Sequence, residues 1–121
     1  MKRERIFITG SGAVCASGMH PRDILAAVRA GASSIRPIEQ WDASTWPTRC
    51  AAEVPDYNPR KLVEDRKLHK FIRRTDLLGI YAGSQAADSA RLASFRDTLD
   101  PQAATAFNDR TGCYVGSGGG A

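Results

Sequence analysis

Two short apolar runs that stop at glycines, one near each end of the chain, constrain the fold more than anything between them. Ile6-Phe7-Ile8 is continuous, rich in β-branched residues and bounded by Gly10 and Gly12. Cys113-Tyr114-Val115 is bounded by Gly116 and the glycines after it. Continuous apolar runs closed by glycine read as strands buried on both faces. Helical segments separate the two, and the order strand, helix, loop, helices, strand argues an α/β layer structure. Ile6 to Thr9 and Tyr114-Val115 are therefore expected to be neighbouring buried strands of one parallel sheet, covered by their crossover helices. Two core strands cannot close a sheet, and a bare glycine tail caps no helix. Residues 1–121 accordingly read as the N-terminal piece of a longer domain, one that would leave apolar sheet surface uncovered if it stood alone.

Punctuation between the runs places the helices. Pro21 suits a first helical turn, with Asp23 favourable at its positive end and Gly31 placed to end it. Ile24, Leu25, Ala27 and Val28 supply the apolar stripe of that helix. Ser33 to Pro47 reads as a loop carrying Trp41 and Trp46, and Cys50 to Val54 as a short strand. Asn58 is a candidate N-cap with Pro59 at the first helical position, and Asp100-Pro101 repeats the signature, predicting a helix from Pro101 to about Phe107. The longest helical pattern runs from about Leu68 to Leu92. Small residues fill its second half (Ala82, Gly83, Ser84, Ala86, Ala87), which lowers its own stability but permits close packing on another element.

Composition excludes more than it identifies. The chain is 42% hydrophobic and 25% charged, with a net charge of +4. No apolar run approaches the roughly 20 residues of a membrane span, and the basic start is followed by too short an apolar stretch for a signal peptide. Cys15, Cys50 and Cys113 form no CxxC pair, which argues against zinc; they read as small buried thiols of a reduced cytoplasm. Nothing resembles a nucleic-acid-binding motif.

Gly10-Ser11-Gly12 after a strand invites a dinucleotide-binding reading. That fingerprint needs a third Gly or Ala where Cys15 stands, and a helix that begins at once. The glycines read instead as a tight turn after a core strand. Nothing local activates Cys15 as a nucleophile. His20 sits at a helix entry, and His69, between Leu68 and Lys70, reads as solvated or structural. The basic residues concentrate between Arg60 and Arg74. On a helix Lys70, Arg73 and Arg74 stand at i, i+3 and i+4 and share one face. That face is either simply solvated or meets a negatively charged partner.

The whole series resembles the N-terminal part of the β-ketoacyl-acyl-carrier-protein synthases, the condensing enzymes of fatty acid and polyketide synthesis. Ile6 to Val14 looks like their opening strand and turn. Ala30 to Ile38 with Trp41-Asp42 looks like the first helix end and its loop. Ala51 to Val54 and Asp56 to Pro59 follow in order. Lys70-Phe71-Ile72-Arg73-Arg74-Thr75-Asp76 resembles the basic helix start, and Cys113 to Gly118 the next strand and glycine turn. The resemblance implies a thiolase-like α-β-α-β-α layered fold, a cytoplasmic homodimer and no cofactor. It implies decarboxylative Claisen condensation by a cysteine and two histidines, all beyond position 121, so residues 1–121 alone are expected to be inactive. Cys15 inherits no role. Lys70, Arg73 and Arg74 fall where the family docks its acidic acyl carrier protein, and no nucleic acid or membrane partner is implied. Ser11, Ala16-Ser17 and Leu77-Leu78 depart from the family's pattern and leave the subfamily open. It is either a standard synthase, one of a specialised pathway, or a non-catalytic chain-length partner that pairs with a related subunit. A stand-alone domain binding acidic proteins is the non-enzymatic alternative.

Overall fold

The computed structural model describes residues 5–54 and 57–116. The chain divides into two compact units, Met1–Ala90 and Arg91–Ala121. In the first, α1 spans Pro21–Arg29, β1 Ile35–Pro37, β2 Cys50–Ala52 and α2 Pro59–Leu62. A 3₁₀ turn follows at Leu68–Lys70, and α3 spans Arg74–Ser89. In the second, α4 spans Leu92–Asp97 and α5 Pro101–Asp109.

The helix ends form as their sequence signals require. Pro21 opens α1 with Asp23 in the first turn. Gly31 closes the helix at φ +62, and its N–H bonds to the Val28 carbonyl while that of Ala32 reaches Ala27. This paired closure needs a left-handed residue, which glycine supplies without a Cβ clash. Asn58 caps α2 by accepting from the Arg60 N–H at 3.0 Å, and Asp100 caps α5 by accepting from Ala103 at 2.9 Å. Of the expected α1 stripe, Ile24 and Ala27 turn inward, whereas Leu25 and Val28 are exposed.

The Trp loop is more ordered than its composition suggests. β1 lies inside it and pairs antiparallel with β2, Ile35 opposite Ala52 and Pro37 opposite Cys50. Beyond the pair, the Asp42 carboxylate accepts from the Ser44 N–H at 3.0 Å, which holds its pKa below the ordinary value. The turn buries Ala43 and sets Trp41 and Trp46 edge to face at 5.3 Å.

The mixed α/β composition is as expected, but the end runs differ from expectation. Among the described residues neither run pairs as a strand, and the two-stranded antiparallel sheet is the only one. Ile6 and Ile8 are 94% and 93% exposed, and Tyr114 is 97% exposed. A strand exists only when a neighbour takes its backbone hydrogen bonds, and no described segment does so for these runs. The buried apolar set is correspondingly small: Ala43, Val63 and Leu77.

Packing around α3 organises the first unit. Its inward face carries Leu77, Tyr81, Ala82, Gln85 and Ala86. Gly10 and Gly12 pass directly over this face. A Cβ on Gly12 would collide with the Ala82 carbonyl, and one on Gly10 with the Ala86 carbonyl and the Ala90 nitrogen. Neither glycine has positive φ. The two glycines are therefore there for close approach to the helix, not for a turn conformation. Farther along, Gln85 Nε2 donates to the Met19 carbonyl at 2.7 Å and the Tyr81 hydroxyl meets His20 Nε2 at 3.2 Å. Residues i and i+4 of α3 thus tie down the entry to α1.

Candidate functional site

Seven Lys and Arg side chains stand against two carboxylates between Arg60 and Arg74. This excess of five exceeds the net charge of the whole chain, so the remainder is slightly acidic. The stretch is the chain's electrostatic centre, and its local structure decides how those charges are presented.

Lys70, Arg73 and Arg74 are all exposed but do not share one α-helical face. Lys70 ends the 3₁₀ turn at Leu68–Lys70. Arg73 is the N-cap of α3 with extended backbone, φ −87 and ψ 173. Only Arg74 is helical. The single helix expected from Leu68 breaks because Asp76 takes the Arg73 N–H at 2.8 Å, an N-terminal cap that starts a helix afresh. The three cations stay close along the chain, but their directions come from three different backbone conformations.

Each has distinct surroundings. Among the described residues the ion pairs are Arg22 with Asp23 and Arg96 with Asp97, so none of the three cations is in one. Arg74 is engaged otherwise. Its Nη2 donates to the Val54 carbonyl at 3.4 Å and its Cζ lies 5.6 Å from the Tyr57 ring centroid. Sequence reasoning missed this pairing, because nothing in the spacing of Val54, Tyr57 and Arg74 signals a contact. Phe71, between Lys70 and Arg73, is also exposed. His69 has a structural task, its Nε2 lying 2.7 Å from the Val63 carbonyl.

An open cleft of about 810 Å³ lies beside Arg74 and Tyr57. Arg36 and Arg74 contribute positive charge to it, Glu39 and Glu53 negative charge. With both signs present it selects no one ligand charge. The cysteines are less buried than expected: Cys15 is half-buried and Cys50 and Cys113 are exposed. Cys15 Sγ accepts from the Ser17 N–H at 3.4 Å inside a tight turn closed by backbone bonds between Cys15 and Gly18. No described His, Cys, Asp and Glu side chains gather in a group of three able to hold a metal ion. No helix among the described residues is long and apolar enough to cross a membrane. The described geometry therefore offers a charged surface and no catalytic constellation.

Known proteins match the chain over almost its whole length. The family model "Beta-ketoacyl synthase, N-terminal domain" matches residues 3–121. A 3-oxoacyl-[acyl-carrier-protein] synthase 2 of Coxiella burnetii is 37% identical over 118 residues, covering 98% of this chain and 26% of its own. The chloroplastic 3-oxoacyl-[acyl-carrier-protein] synthase I of Hordeum vulgare is 32% identical over 122 residues, covering 96% and 24%. A 3-oxoacyl-[acyl-carrier-protein] synthase 2 of Vibrio harveyi is 32% identical over 121 residues, covering 98% and 26%. The chain thus spans about a quarter of the length of the curated relatives it matches. With nearly every residue inside that match, the chain belongs to the β-ketoacyl synthase family, within its N-terminal domain.

Proposed function

We propose that the whole protein is a β-ketoacyl-acyl-carrier-protein synthase, and that residues 1–121 contribute its carrier-docking surface and part of its scaffold. The observation that carries this is the match over residues 3–121, together with relatives named as synthases of acyl-carrier-protein substrates. The proposed reaction has two halves. A cysteine thiolate outside residues 1–121 takes the acyl group from its carrier thioester and releases the carrier thiol. Malonyl-carrier then loses CO₂, and the resulting enolate attacks the enzyme thioester. This forms β-ketoacyl-carrier and frees the cysteine. Two histidines, also outside residues 1–121, would donate to the developing oxyanions.

The scaffold reading is a thiolase-like layered fold of which residues 1–121 form the first part. Support comes from the exposed runs Ile6-Phe7-Ile8 and Tyr114-Val115, apolar segments that lack a strand partner among the described residues. The docking reading assigns Lys70, Arg73 and Arg74 to the patch that meets an acidic acyl carrier protein. Its support is the concentration of charge between Arg60 and Arg74, which would steer an acidic partner at long range. A homodimer in the cytoplasm completes the proposal.

The test supplies acyl-carrier and malonyl-carrier to the full-length protein and to residues 1–121 alone, and measures β-ketoacyl-carrier and CO₂. The full-length protein should form both products and residues 1–121 neither. Carrier binding by the full-length protein without carbon–carbon bond formation would instead identify a non-catalytic partner subunit.

A further inference from the structure

We infer that Arg74 acts in the docking patch proposed above as the clasp that holds the basic stretch in shape, and that of the three cations assigned there Lys70 and Arg73 are the ones that touch the partner; this refines, and rests on, that docking role. Val54 follows β2 and Arg74 opens α3, and the bond from Arg74 Nη2 to the Val54 carbonyl joins them at 3.4 Å across 20 residues. Tyr57 stacks on the same guanidinium at 5.6 Å. The contact therefore closes the base of the excursion from which Arg60, Lys61, Arg66, Lys67, Lys70 and Arg73 project. Those six cations face only Glu64 and Asp65 within the stretch, so they repel one another and favour an opened loop.

Among the described residues, the remaining side-chain hydrogen bonds of the stretch do not reach back to β2. Asn58 accepts from Arg60, Asp65 from Lys67, His69 meets Val63, and Asp76 accepts from Arg73. They shape individual turns, and buried Val63 and Leu77 anchor the inner side. The tie between Arg74, Val54 and Tyr57 joins the two ends. A guanidinium suits this task because it stacks flat on an aromatic ring while its edge donates in plane, and an ammonium cannot do both. Arg74 keeps its charge, but one edge and one face of its guanidinium are turned to Val54 and Tyr57, whereas among the described residues exposed Lys70 and Arg73 have no such tie.

The test uses the full-length protein with Arg74→Gln, Arg74→Lys, Tyr57→Leu and Arg73→Gln. It reads amide hydrogen exchange over residues 58–73 and KM for a carrier-bound acyl donor across salt concentrations. Arg74→Gln should speed exchange there by about tenfold, as a local opening. High salt should slow that exchange again by screening the repulsion. KM for the carrier donor should rise severalfold, with a salt slope flattened less than in Arg73→Gln. Tyr57→Leu should open the same segment, and Arg74→Lys should fall between. Arg73→Gln should flatten the salt slope and leave exchange alone. Unchanged exchange in both Arg74→Gln and Tyr57→Leu overturns the clasp. So does a salt slope flattened by Arg74→Gln as much as by Arg73→Gln. If exchange responds as expected but no variant moves KM for the carrier donor, the clasp stands and the docking reading falls.

Discussion

Arg91 is the residue whose backbone most disagrees with its side chain. It follows the last residue of α3's C-cap at φ 54 and ψ 37, in the left-handed region that glycine occupies after α1. Every non-glycine residue meets a Cβ clash there, worth about 1 kcal/mol. Arg91→Gly should therefore raise thermal stability by up to about 1 kcal/mol, offset in part by glycine's larger freedom when unfolded. Thermal unfolding of the full-length protein checks this, and an unchanged or lowered midpoint contradicts it. Residue-scale signals were otherwise the most legible in the sequence. Asn58-Pro59, Asp100-Pro101, Pro21 and Gly31 all act locally, so their meaning needs no knowledge of the rest of the fold. Arg91 was illegible for the complementary reason: its conformation is imposed by the turn between α3 and α4, not chosen by the side chain.

Among the elements, α3 shows what the pattern conveyed and what it did not. Small residues in its second half foretold a close neighbour, and Gly10 and Gly12 are that neighbour. The glycines themselves read as a turn, because sequence spacing cannot reveal which distant helix a backbone will approach. Gly12→Ala should cost about 1–3 kcal/mol, since its Cβ has nowhere to go without moving α3. Gly79, with open space where a Cβ would stand, should tolerate alanine and gain about 0.5–1 kcal/mol of helix propensity. Equal effects at the two positions in denaturant unfolding would show that the close approach does not limit packing. The helix start was misread at the same element. Periodicity carried the pattern back to Leu68, whereas one hydrogen bond from the Arg73 N–H to Asp76 begins α3 at Arg74. A cap of this kind outweighs apolar spacing over a single turn, and it redirects the three cations read as the candidate site.

For the molecule as a whole, charge and apolar surface lead in different directions. The runs at Ile6-Phe7-Ile8 and Tyr114-Val115 read as buried strands because β-branching and glycine boundaries are local signals, but among the described residues both are exposed and neither forms a strand. A strand also needs a neighbouring backbone to take its hydrogen bonds, and local sequence does not say whether one is supplied. The family was legible from the ordered series of motifs, each weak alone, and the basic stretch from composition. The individual surroundings of Lys70, Arg73 and Arg74 depend on the cap at Arg73 and on contacts from Val54 and Tyr57, which the spacing of the cations does not encode.

The docking role of that stretch is tested most directly by comparing two acyl donors. One is carried by an acidic carrier protein and the other is a small thioester without it. In the full-length protein, the double charge reversal Lys70→Glu and Arg73→Glu removes two exposed cations and adds two repulsive charges. Rim charges typically contribute on the order of 1 kcal/mol or less each, so kcat/KM for the carrier-bound donor should fall by about tenfold to a hundredfold. The loss should shrink at high salt, while kcat/KM for the small thioester stays at the unmodified protein's value. Equal slowing of both donors would contradict docking at Lys70 and Arg73 and leave the basic stretch with a purely structural role.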